Sequence, residues 1–394
     1  MKIKKKTKTL TMKIGIEGQR LFRVKKHGMD MVALELILNL QKIDKENEYV
    51  IFIKPDDDSD CLTATENFKI VELDGGSYPA WEQFALPKAA KQEGCDILHC
   101  TSNTAPIRSS VPLVLTLHDI IYMEHSLINM AFGGGTPYQR FGNIYRKFVV
   151  PRILKKSRAT ITVSEYEKER IGDFFNMDTD RLHAVYNGVG TYFNKITDTK
   201  VLNDVKKKYN LPEKFFFFLG NTVPKKNTPG TLKAFSDYRK QTGLDIPLVM
   251  LDYEREDLQK IANDIGSPDL VNHIHLTGYV VNTDLPAIYS LTDLFLYPSF
   301  RESFGIPILE AQRCGAPVIT ANTSSMPEVS GDGSYLVDPY NTEEITKAMV
   351  EIMEDEPKRN ALIERGYKNA DKFSWKAMAE RVLELYKTVY QENN

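Results

Sequence analysis

The sequence predicts an α/β protein built as two parallel-sheet domains in tandem. Three observations carry this. Short stretches rich in Val, Ile, Leu and Phe alternate with helical patterns along the chain, as in parallel sheets covered by helices. The alternation breaks once, at a polar, Lys- and Asp-rich stretch from Phe193 to Leu211, and then restarts. The length of 394 residues exceeds one ordinary core and suits two or three domains of about 150 residues.

In the first half, KIGIEG reads as a strand, Met29 to Leu40 as an apolar-rich helix, and YVIFIK as the next strand. CDILHC, VPLVLTLHD and RATITVS follow, with an apolar content that suits strands covered on both faces. A helix rich in Tyr, Arg and Lys, from about Thr136 to Lys156, separates the last two. After the polar stretch come KFFFFLG, a helix over Gly230 to Gln241, then PLVMLDY, HIHLTGY, LFLYPS, PVITA and SYLVDP. The final segment places Met378, Val382, Leu385 and Val389 at helical spacing, which predicts an amphipathic terminal helix. The expected divisions are a basic leader over 1–11, domains over 12–195 and 196–375, and the closing helix over 376–394.

Composition narrows the function classes. Apolar residues at 42% and charged residues at 26% exclude a disordered or fibrous chain. Lys plus Arg number 51 against 53 Asp plus Glu, so bulk charge does not predict a nucleic-acid binder. Four cysteines, Cys61, Cys95, Cys100 and Cys314, are too few for a disulfide scaffold and fit a reducing cytosol. The leader MKIKKKTKTLT carries five lysines but no apolar run after them, so it is not a secretory signal. It reads as a disordered leader ahead of Met12, or as a basic arm for anionic lipid. Without its lysines the charge balance moves from −2 to −7. No run of about 18 apolar residues predicts a spanning helix.

Ligands of open α/β sheets bind at the carboxyl ends of strands, so motifs there matter most. In LFLYPSFRESFGIPILEAQRCGAPVIT a strand leads through a loop to a helix beginning near Ile306 and Pro307. Glu302 precedes that helix and Glu310 lies inside it, with seven residues between them. Amides of Ser303, Phe304 and Gly305 at the positive helix end suit an anion. The two carboxylates suit hydroxyls of a sugar or ribose; as an acid before a helix and one on its face, they are equally ordinary solvated residues. Lys225 and Lys226 stand where an ammonium could neutralise a departing diphosphate, although adjacent loop lysines are commonly just hydrated. His118 ends VPLVLTL and can donate to a substrate hydroxyl, or be a loop histidine satisfied by Asp119. Gly28 opens the first helix, where a ligand could approach the backbone. Cys95, His99 and Cys100 lie on a buried strand with no second cluster and do not predict a metal site. Gly133 to Gly135 follow no strand and read as a flap.

RESFGIPILEAQRCGAPVI resembles the paired-glutamate region of retaining glycosyltransferases of family 4, which have the two-domain GT-B fold. VLTLHD, ITVSEYEKERI, YNGVG, FLGNTVPKKN, LTGYVVNTDLPAIYSLTDLFLYPS, SSMPEVSGDGSYLVDP and FSWKAMAERVLELY resemble further family elements in the same order. The resemblance implies two Rossmann-like domains facing a cleft, with the closing helix crossing back to the first. It implies that Glu302 meets hydroxyls of the transferred sugar and Glu310 the ribose. Lys226, with Lys225 nearby, would bind the diphosphate, and the amides at Phe304 and Gly305 sugar and phosphate oxygens. His118 would stand beside the reacting sugar, Gly28 near the diphosphate and Val280 near the base. Asn221 departs from the family pattern, where many members carry Arg.

The expected activity is retaining transfer of a sugar from a GDP- or UDP-linked donor to an acceptor hydroxyl. The donor is a co-substrate, and neither a metal nor another cofactor is expected. The expected acceptor is a glycan or lipid-linked glycan in surface polysaccharide assembly. That places the chain in the cytoplasm, with room for peripheral contact at the inner membrane face. Two rival readings are a GT-B epimerase or phosphorylase and a catalytically inactive sugar-nucleotide binding protein.

Overall fold

Runs that are apolar on both faces become strands, and the helices between them cover those faces. The computed structural model describes residues 11–26, 28–124 and 137–393, with the backbone alone over 137–140. Residues 1–10 of the basic leader and the Gly133–Gly135 flap lie outside the described residues. The chain forms two units, one running to Tyr186 and resuming at Trp375, the other spanning Asn187–Ser374.

The first unit holds seven strands: β1 Lys13–Glu17, β2 Glu48–Ile53, β3 Phe68–Glu72, β4 Ile97–Cys100, β5 Leu113–Thr116, β6 Ala159–Thr162 and β7 Leu182–Ala184. They form one parallel sheet in the order β3-β2-β1-β4-β5-β6-β7. The edge strands β3 and β7 are additions to the sequence reading. Each pairs on one side only, and FKIVE and LHA lack the long apolar run that marks their central neighbours. The helix Gly28–Ile43 and the terminal helix Trp375–Asn393 pack against one another. The terminal helix buries Met378, Val382, Leu385 and Val389, as its spacing predicts. Tyr386 on the same helix bonds His99 Nδ1 at 2.5 Å, while His99 Nε2 meets Thr116 Oγ1 at 2.7 Å. Both ring nitrogens are thus engaged in packing.

The second unit has six strands: β8 Phe216–Phe218, β9 Leu248–Met250, β10 Ile274–Leu276, β11 Leu294–Tyr297, β12 Val318–Ala321 and β13 Tyr335–Val337. Their order is β10-β9-β8-β11-β12-β13, again all parallel. A core of Phe216, Phe218, Phe235, Tyr238, Leu294 and Leu296 lies on one face. The unit starts ahead of the polar stretch that marks the boundary in sequence, because part of that stretch packs into it. Phe193 sets its ring edge-on to Tyr289, and Lys195 and Ile196 bond Ser290.

Both sheets change direction once, between β1 and β4 and between β8 and β11. A crevice opens beyond the carboxyl ends of strands at such a switch point. In the second unit Lys225, Lys226 and Glu302 follow the two strands at that point, whereas His118 follows β5 and Val280 follows β10.

Candidate active site

In the second unit, β8 leads through the loop 219–223 into a short turn, Pro224–Lys226, and then the helix Thr228–Thr242. β11 leads through 298–305 into the helix Ile306–Arg313. The two loops are tied together. Phe300 N donates to Lys225 O at 2.8 Å, and Asn227 Nδ2 donates to Pro298 O at 3.0 Å and Pro339 O at 2.7 Å. Asn227 is buried with φ 54°, a left-handed conformation that Asn tolerates better than most residues. Behind the second loop, Ser325 Oγ donates to Glu302 O and Phe304 O, and Ser324 Oγ accepts from Glu302 N. These bonds fix where the Glu302 side chain begins.

The carboxylate of Glu302 is buried and flanked by both lysines. Lys226 Nζ stands 2.7 Å from Oε1, and Lys225 Nζ stands 3.4 Å from Oε2. Lys226 also donates to Tyr297 Oη at 2.7 Å and lies 4.5 Å from the centre of that ring. Burial would raise the Glu302 carboxyl, yet Lys226 and Lys225 beside it hold it below its ordinary value. Burial pushes the Lys226 ammonium down, and Glu302 opposes that fall. The result is two cations around one anion, a compact group with positive charge in excess. It can accept from a hydroxyl on its carboxylate side and receive an anion on its ammonium side.

Gly305 begins the next helix with φ 99°, and Phe304 is buried with its ring edge-on to Phe373. Glu310 is partly buried on that helix and accepts from Tyr289 Oη at 3.1 Å. Burial pushes its carboxyl up from 4.5 to about 7, with the Tyr289 hydroxyl pulling the other way. Between those values the folded group keeps a proton that the unfolded one has lost. Stability therefore falls as pH rises from 4.5 to about 7 and stays lowered above. Glu310→Gln is expected to remove that slope, worth up to about 3 kcal/mol, and raise the melting temperature at pH 8 but not at pH 4. Melting curves at the two pH values check it; an equal shift at both would leave the proton without a role.

Asn221 is exposed and its Oδ1 accepts from Val223 N at 2.9 Å. It lines a largely apolar pocket of about 500 Å³ with Val223, Tyr253, Phe300 and Tyr340, which Lys226 and Glu302 do not line. Val280 is buried just beyond β10. The two tied loops thus bring Lys225, Lys226 and Glu302 together, and Asn221 stands apart from that group. Tyr297, Asn227 and Ser325 are the supporting residues that the sequence pattern did not single out. A tyrosine ending the apolar strand LFLY was the one visible signal among them.

In the first unit, His118 follows β5 and is buried, with Nε2 at 3.0 Å from Thr101 O. Its backbone amide donates to Asn103 Oδ1 at 2.6 Å. Burial lowers its affinity for a proton, so the ring is neutral at neutral pH. Asp119 caps the following turn through Ile121 N at 3.2 Å. Gly28 opens its helix, and a Cβ there would meet nothing within 4 Å.

Two solved structures share the fold across nearly the whole chain. A glycosyltransferase from Rickettsia africae aligns with TM-score 0.71 at 18% identity, covering 96% of this chain and 98% of that one. Anabaena Alr3699/HepE, solved with UDP and glucose, gives 0.71 at 16% identity, covering 95% and 99%. The fold is GT-B, with two Rossmann-like parallel-sheet units. Residues 27–192 match the profile Glycosyltransferase Family 4, and residues 202–369 match Glycosyl transferases group 1. The chain belongs to the family 4, group 1 glycosyltransferases. The O-antigen chain mannosyltransferase B of Escherichia coli is 30% identical over 235 residues, which are 59% of this chain and 61% of that protein.

Proposed function

We propose that the chain transfers a hexose from a GDP- or UDP-linked donor to an acceptor hydroxyl, with retention at the anomeric carbon. The observation that carries this is the Lys226–Glu302–Lys225 group at the switch point of the second sheet. A diphosphate leaving group gains negative charge as its bond to the sugar breaks, and positioned cations lower that barrier. Lys226 and Lys225 supply the cations, and the helix end at Gly305 adds its dipole. In this reading the charge balance calls for no metal. Glu302 accepts from sugar hydroxyls and Glu310 from the ribose. Phe304 and Val280 line the donor site in this reading, and the family resemblance adds roles for His118 at the sugar, Gly28 at the diphosphate and Asn221 at the donor. The acceptor oxygen bonds to the anomeric carbon on the face the diphosphate leaves, and its proton passes to the departing phosphate oxygen.

The O-antigen mannosyltransferase likeness supports mannose as the sugar and a surface polysaccharide, lipid-linked during assembly, as the acceptor. Among the described residues no helix is long and apolar enough to cross a membrane, and a lipid-linked acceptor requires only peripheral contact at the cytosolic face. A thermal-shift panel of UDP, GDP, ADP and dTDP tests the donor reading. A nucleotide at 100 times its dissociation constant should stabilise by about 2.7 kcal/mol. One of the first two is expected to raise the transition by several degrees; silence from all four overturns the proposal.

A further inference from the structure

The helix Pro137–Lys156, PYQRFGNIYRKFVVPRILKK, carries six Lys and Arg and no carboxylate. One side is core, where Val149, Val150, Ile153 and Leu154 are buried against the first sheet. The opposite side exposes apolar groups, with Phe141 at 58%, Ile144 at 44% and Phe148 at 56%. At 3.6 residues per turn, Phe141, Ile144, Phe148, Arg152 and Lys155 fall on one stripe. That stripe is apolar toward its amino end and cationic toward its carboxyl end. The Arg152 guanidinium lies 3.7 Å from the centre of the Phe148 ring, joining the two halves.

Two neighbouring features extend the stripe. Phe84, exposed at 75%, sits on the turn Trp81–Ala85. The flanking Gln83 and Glu82 hold Tyr145 Oη of the helix at 2.7 and 2.6 Å. Beyond the cationic end, Arg108, Lys156 and Arg158 line a pocket of about 590 Å³ with Ser109 and Ser110. Among the described residues no carboxylate forms an ion pair with Arg108, Arg152, Lys155, Lys156 or Arg158. Exposed apolar side chains are common singly, but a contiguous set beside cations that no carboxylate pairs is not.

We propose that this face docks on an anionic lipid surface, with Phe141, Ile144, Phe148 and Phe84 entering the headgroup layer and the cations contacting phosphates. An interfacial helix is recognised by apolar residues on one side and Lys or Arg beside them. The occupant is set by charge. A second copy of this chain would bring the same cations face to face, which opposes association. A nucleic acid would use the cations but leave the four exposed apolar side chains without a partner. The pocket beside Lys156 has room for a phosphate headgroup. The surface gives the peripheral contact proposed above a defined address, and it lies within the first unit alone.

Co-sedimentation of the full chain with phosphatidylcholine vesicles, with and without phosphatidylglycerol, tests it in the absence of nucleotide. Binding is expected only with phosphatidylglycerol and should weaken as salt rises. Phe141→Ser with Phe148→Ser, and separately Arg152→Glu with Lys155→Glu, should each weaken binding by about tenfold or more. Both should keep the thermal transition and any nucleotide-induced shift, which separates this surface from the donor site. Removing residues 1–11 should leave vesicle binding in place. The proposal is overturned if the wild-type chain ignores phosphatidylglycerol, if both variants bind as it does, or if binding vanishes with the leader. It is equally overturned if the stripe variants dissolve a dimer in place of a vesicle complex.

Discussion

Glu302→Gln is expected to lower glycosyl transfer by about 10²-fold or more while leaving a folded protein. The amide keeps the shape of the side chain and can still accept one hydrogen bond. It cannot neutralise Lys226 at 2.7 Å or Lys225 at 3.4 Å. In the wild type the carboxylate holds both ammonium groups in place and opposes the loss of proton affinity that burial imposes on Lys226. In the variant, burial acts on Lys226 without that counter-charge, so its proton affinity falls further. A leaving diphosphate then meets a weaker and less fixed cation. Breaking a buried pair from one side also costs stability, about 3 kcal/mol where no other partner takes over. Here Tyr297 Oη remains within reach of Lys226 and limits that loss. The measurement is turnover beside a melting curve, and wild-type turnover in the variant would remove Glu302 from the site. Lys226→Ala should also lose transfer, and in a double-mutant cycle the two losses should not add, because the residues act as one group.

Asn227→Ala is expected to cost about 3 kcal/mol, seen as a melting temperature lower by several degrees. The side chain donates to Pro298 O and Pro339 O, two buried carbonyls on different loops. Removing it leaves both unsatisfied and puts a Cβ-bearing residue without a local partner at φ 54°. Asn227→Gly separates the causes, since glycine accepts the backbone conformation but restores neither bond. If the glycine variant is as stable as wild type, the conformation alone carries the effect and the loop-tying role fails. A positioning role predicts in addition a weaker nucleotide-induced shift, because the loop carrying Phe300 and Glu302 loosens with Pro298.

The sequence made legible what local chemistry controls. The central strands announced themselves because they are covered on both faces, as with Phe216 to Phe218. β3 and β7 did not, because an edge strand such as FKIVE needs apolar residues on only part of its surface. The spacing of Glu302 and Glu310 was visible, but the closure of Glu302 on Lys226 was not. Those residues are 76 positions apart, and only the sheet order that sets β8 beside β11 brings them together. Asn227 stood in plain view in NTVPKKN, yet an asparagine in a turn is common. Nothing local reveals that its two partners lie 71 and 112 residues ahead.

The terminal helix has a consequence for how the chain comes into being. The first unit is synthesised first, but Trp375–Asn393 belongs to it and seals its flank. Until that helix leaves the ribosome, His99, the partner of Tyr386, and the apolar side of the Gly28–Ile43 helix stay uncovered, although His99 was made 287 positions before Tyr386 and the first helix earlier still. The second unit has no such debt, since it is contiguous. The middle of the chain is thus able to finish before the beginning. A fragment ending at Ser374 should retain a protected second unit and expose a first unit that aggregates or recruits chaperones. The order of completion is set by where the chain returns, not by where it starts.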